Sequence, residues 1–148
     1  MKKFTFSLAR LKKYREQMLE SEKNRLGELR SQLNALNREL EAILAQVERE
    51  NDGIRLLFTG GTSQPNEIGL RKRFVTSLQA KAEEQRIKII GKEREVEVQL
   101  NVVIEATKDT ETLSKLEEHQ LEEYRKDELK ENELFIEEFV SNRIISNS

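Results

Sequence analysis

Between Leu26 and Leu57 the chain advances by alternating steps of three and four through Leu26, Leu29, Leu33, Leu36, Leu40, Ile43, Val47, Glu50, Ile54 and Leu57. Only Glu50 interrupts the apolar set. A mean period of 3.5 residues keeps one stripe against a partner helix when the two wind around each other, so this stretch specifies a coiled coil. Composition agrees. With 36% charged residues, 5% aromatic and no tryptophan, the chain has few large side chains with which to fill a globular core. Upstream, Phe4, Leu8, Leu11 and Met18 carry the stripe in a different frame, which predicts a four-residue stutter before Leu26. Ser7 is the candidate cap, with Arg10 where a capping box places Glu. These signals predict a first helix over about 5–58.

The second arm repeats the pattern more thinly. Val75, Leu78, Ala82, Ile89, Val96, Val103, Ala106 and Leu113 share one heptad frame, with Gln85, Lys92, Gln99 and Thr110 between them. Leu70, Phe74, Ile87, Ile90, Val98, Leu100 and Ile104 widen the stripe, which suits a helix that buries one face and offers another. Gly27 and Gly91 weaken their helices by up to about 1 kcal/mol each relative to alanine. Between the arms, "FTGGTSQPNEIG" (58–69) holds the only proline, Pro65, and three of the six glycines. Glycines 60 and 61 ease the end of the first helix, and Pro65 fits the start of the next. "TGGTS" lacks the Gly-Lys-Ser/Thr ending of a phosphate-binding loop and reads as a plain turn. A turn at about 59–65 followed by a second helix over about 66–143 makes the two antiparallel neighbours. The expected fold is all-α: a single long antiparallel two-helix coiled-coil hairpin over residues 1–148.

Charge favours that register. Residues 1–30 balance at +5 and residues 117–138 at −7, and folding near residue 62 brings them together. Residues 71–94 balance at +5 against −2 for residues 30–53. Folding there also sets Phe4 opposite residue 120, so residues 121 to about 143 project some 35 Å as an overhanging C-terminal helix. That segment still carries Leu121, Tyr124, Leu129, Leu134, Phe135, Ile136 and Phe139. Its like charges at i,i+4, such as Glu123/Asp127 and Glu133/Glu137, oppose an isolated helix. It calls for a partner.

The opening "FTFSLARLKKYRE" and the closing "KLEEHQLEEYRKDELKENELFIEEF" resemble the two ends of the flagellar type III export protein FliJ family, and length and layout agree along nearly the whole chain. The family's end more often reads as a Lys-Glu-Leu-Asp type sequence than as Leu134-Phe135-Ile136. The resemblance implies a cytoplasmic, stalk-like coiled coil of the flagellar export apparatus, peripheral to the inner membrane through the export gate. Implied partners are the hexameric export ATPase FliI, which it binds and stimulates, the gate protein FlhA, and also FliH and export chaperones. Leu121, Tyr124, Arg125, Leu134, Phe135 and Phe139 are the implied ring-binding residues. Phe74 and Leu78 match the family's gate-binding stripe. Lys81 and Gln85 stand where relatives carry a small residue and a histidine, and Gln85 completes the candidate set.

Other classes fare worse. No apolar run is long enough to span a bilayer, and Met1-Lys2-Lys3-Phe4-Thr5-Phe6 lacks the apolar core of a secretory signal. Without cysteine there is no thiol chemistry, and a net charge of −2 gives no general attraction to nucleic acid. His119 with Glu122 and Glu123 makes an incomplete metal site, so no metal or cofactor is expected. A hairpin offers glutamates no concave pocket to shift their pKa values, so an enzyme is the least favoured class. Arg71, Lys72 and Arg73 read as a solvated helix start, in preference to a contact for anionic lipid or acidic protein. The rival functional classes are a helical-hairpin holdase for export substrates and a self-associating coiled-coil linker.

Overall fold

A computed structural model describes residues 2–60 and 65–147. The fold is all-α: two long helices, α1 (Ala9–Thr59) and α2 (Pro65–Asn147), pack against each other, with no strand among the described residues. By contact the chain divides into two compact units, Lys23–Val102 and the paired segments Met1–Glu22 with Val103–Ser148. Expectations about Gly61 and the "TGGTS" turn fall on 61–64, outside the described residues.

In the Lys23–Val102 unit the expected heptads are the buried ones. Leu26, Leu29 and Ile54 of α1 and Ile68, Val75, Leu78, Ala82 and Ile89 of α2 form its apolar core. Polar side chains at seam positions bond across it. Gln85 Nε2 donates to the Leu36 carbonyl at 3.0 Å and to Glu39 Oε2 at 2.9 Å. Lys92 Nζ donates to Gln32 Oε1 at 2.9 Å, and Arg71 lies 3.8 Å from Glu50. Each contact joins residues whose numbers sum to nearly the same value, the signature of antiparallel register. The last turn of α1 is closed locally: the Thr59 hydroxyl donates to the Arg55 and Leu56 carbonyls, and Gly60 N–H to the Leu56 carbonyl. A Cβ at residue 60 would sit 3.1 Å from that carbonyl oxygen, so close approach is what asks for glycine. Pro65 opens α2, where its missing N–H costs no helical bond, and Glu67 lies in the first turn, where a carboxylate is favoured.

The other unit corrects three expectations. Toward the N-terminus of α1, Leu8, Lys12, Leu19 and Glu22 are the partly buried residues, whereas Leu11 and Met18 are 39% and 38% exposed. With Arg15 between them, these positions continue the three–four alternation into Leu26, so no stutter occurs. The reason is polar occupancy: Lys12 reaches Glu117 at 2.6 Å, and Arg15 lies 3.7 Å from Asp109. Hydrophobicity alone therefore picked the wrong frame. The helix also starts at Ala9, not near residue 5. Leu8, not Ser7, holds the cap position, because its carbonyl accepts the Lys12 N–H at 2.9 Å.

Gly27 and Gly91 are open: a Cβ at either meets nothing within 4 Å, and neither has the backbone conformation reserved for glycine. Replacing each with alanine is expected to stabilise the protein by roughly 0.5–1 kcal/mol through helix propensity and a less flexible unfolded chain. Urea titration followed by circular dichroism checks this; unchanged midpoints would mean that these glycines relieve a strain absent from the contacts.

Candidate functional site

Where pairing stops decides which surface is available. Residues 2–6 are not helical. The N-terminal segment nonetheless stays packed on α2. Phe6 is buried, the Phe4 ring packs against Tyr124 at 5.5 Å between centroids, and the Tyr124 hydroxyl donates to the Lys2 carbonyl at 2.6 Å. The overhang thus begins at residue 125 rather than 121. Leu121 and Tyr124 are half-buried in the unit's own packing, contrary to the expectation that they have no intramolecular partner.

From Arg125 to Asn147 every residue is exposed. Leu129 is 60% exposed, Phe135 69%, Ile136 59% and Phe139 58%. Leu129, Phe135, Ile136, Phe139, Val140 and Ile144 follow one another at helical spacings, so they share a broad face of α2. Leu134 and Ile145 point elsewhere on the helix. Six acidic and four basic side chains are interspersed between residues 125 and 147, leaving the segment at −2. Ile144 and Ile145 were missed as site residues because the helix was expected to end near 143, and Val140, inside that bound, was passed over. Spacings of four from Ile136 to Val140 and from Val140 to Ile144 are the signal that finds those two.

The residues expected at the export gate do not form one surface. Phe74 is 43% exposed, but Leu78 and Gln85 are only 5% and 6% exposed, closed off by α1. Both occupy seam positions of the heptad frame, and the Gln85 amide is committed to Leu36 and Glu39. Leu70, at 65% exposed, is the large apolar neighbour that accompanies Phe74 outside the seam. Among the described residues no group of three or more acidic or histidine side chains is placed to hold a metal ion, and no helix is long and apolar enough to cross a membrane.

Two titrating groups mark the boundary between paired and unpaired helix. Lys12 is shifted above its ordinary 10.5, first by its hydrogen bond to Glu117 and against some desolvation. Tyr124 is shifted above 10.0, first by desolvation and then by the neighbouring Glu128 carboxylate. In both cases the folded state holds the proton more tightly than the unfolded chain. Their contribution is therefore complete at neutral pH and is lost as pH rises past these ordinary values. Amide exchange near residues 2–8 is expected to accelerate above about pH 10, after correction for intrinsic rates. Tyr124→Ala removes the ring contact and the hydrogen bond and is expected to cost about 1–3 kcal/mol, with lost protection of the same segment. Phe139→Ala, at a side chain 58% exposed, is expected to change stability by less than about 0.5 kcal/mol. Equal losses would mean that residues 125–147 are packed on the chain. Compared with known proteins, the chain matches no family model, no curated protein and no solved structure.

Proposed function

We propose that this chain is a stalk-like coiled coil of the flagellar protein export apparatus, in which residues 125–147 bind and stimulate the hexameric export ATPase. The observation that carries the reading is the run of wholly exposed helix bearing Leu129, Leu134, Phe135, Ile136 and Phe139 among acidic side chains. Exposed apolar surface on this scale, continuous with a folded helix, is typical of an interaction site. The resemblance of the two termini to the FliJ family supplies the identity of the partner.

The mechanism needs no catalytic group from this chain. One helix inside a six-fold ring touches its subunits unequally, and a ligand shifts a conformational equilibrium only through such differential contact. The acidic, apolar helix binds best to subunits presenting basic and apolar loops. It thereby favours their conformation, ring assembly and hydrolysis. Arg125 stands at the root of the segment, beyond Tyr124, where it orients the first turn against the ring. Phe74 forms the contact to the cytoplasmic face of the gate protein. Leu78 and Gln85 support it from within the seam.

Turnover of the purified export ATPase is measured with the full chain, with a chain ending at Tyr124, and with Phe135→Ser/Phe139→Ser. Stimulation by the full chain and its loss in both variants is the expected result. Full stimulation by the shortened chain overturns the proposal. Phe74→Ala is expected to weaken gate binding at least tenfold while leaving ATPase stimulation intact; loss of about 1.4 kcal/mol corresponds to that factor.

A further inference from the structure

Within the Lys23–Val102 unit, the helical turns on either side of the connection expose large apolar side chains that pairing does not use. Leu56 is 71% exposed, Phe58 62%, Leu70 65% and Phe74 43%. They are not on one side. Relative to the seam residues Ile54, Leu57, Ile68, Arg71 and Val75, the heptad places Leu56, Leu70 and Phe74 toward one flank of the pair. Phe58 lies on the other flank, with Lys72 Nζ 5.7 Å from its ring centroid.

Cations stand among these groups. From residue 52 to residue 74 the chain has four basic and two acidic side chains. Each acid is held by an arginine of its own helix, Asp52 by Arg55 at 3.0 Å and Glu67 by Arg71 at 3.6 Å. Lys72 and Arg73 make this end net positive.

We propose that this end docks on an anionic lipid surface. Leu56, Phe58 and Leu70 enter the boundary between headgroups and acyl chains, and Lys72 and Arg73 lie at headgroup level. Apolar groups on both flanks, with long-stemmed cations beside them, suit a fluid phase that surrounds what enters it. The sign of the charge selects anionic lipid, to which each cation near the surface adds about 1 kcal/mol, or about fivefold in binding. This goes beyond the export reading, since contact with lipid requires neither the gate nor the ATPase.

The full-length chain is sedimented with vesicles of phosphatidylcholine alone and of phosphatidylcholine mixed with phosphatidylglycerol. Binding to the anionic vesicles only, weakened by added salt, is the expected result. Lys72→Ala/Arg73→Ala is expected to lower that binding about 25-fold, the product of two fivefold losses. Leu56→Ser/Phe58→Ser is expected to lower it comparably at unchanged helical content, because both side chains are exposed. Equal binding to neutral vesicles, no binding to anionic ones, or unaltered binding by either double variant overturns the proposal. So does capture by poly-glutamate without vesicle binding, which puts an acidic protein in the place of lipid. ATPase stimulation, which depends on residues 125–147, is measured alongside and separates failure here from failure of the export reading.

Discussion

A helix with a single helical neighbour encloses its side chains on one side only, and the seam between α1 and α2 is the contact on which the fold depends. Its largest buried members keep 5–9% of their surface, and among the described residues only Ala82, at 1%, is sealed. Each buried leucine or isoleucine contributes roughly 1.5–3 kcal/mol at most. Such a seam needs many repeats to outweigh the conformational entropy of two long helices. Length here substitutes for depth of core, which explains a regular heptad in a chain so rich in charge.

Polar residues within the seam work against that stability and in favour of one register. Heptads of leucine and isoleucine alone slide by seven residues at little cost, because every hole looks alike. Gln85 breaks that equivalence, since its amide finds both the Leu36 carbonyl and the Glu39 carboxylate at one setting. Lys92 with Gln32 and Lys12 with Glu117 act in the same sense in their respective units. The exposed ion pairs add little individually, and the buried amide is the more discriminating because an unsatisfied one costs about 1–3 kcal/mol.

How far the sequence could be read follows from the same residues. The frames Leu26–Leu57 and Val75–Leu113 were legible because apolar residues occupied most seam positions. The frame failed near Lys12 and Arg15, where long cationic side chains hold seam positions and the apolar Leu11 and Met18 stand beside them. The reach of the N-terminus failed because folding about residue 62 sets Phe4 opposite 120, whereas Lys12 meets Glu117 and Phe4 meets Tyr124, further along α2. That error moved the start of the overhang from 121 to 125 and removed Leu121 and Tyr124 from the exposed set. Leu78 and Gln85 needed no structure to be placed: both fall in the heptad frame, and a residue cannot fill the seam and face a partner at once.

The state of residues 125–147 bears on how tightly they can bind. An isolated helix of this length is marginal in water because its first turn must be nucleated at a cost. Here nucleation has already occurred, since the segment continues α2 beyond Tyr124 without a break. Like-charged pairs such as Asp127/Glu131 and Glu133/Glu137 remain unfavourable, by a few tenths of a kcal/mol each. A basic partner relieves that repulsion as it covers Phe135 and Phe139. Docking therefore orders side chains more than backbone, and less of the interaction energy is consumed in folding the segment. A tail fused to a paired helix is a better ligand than the same peptide alone, and the coiled coil contributes to binding without touching the partner.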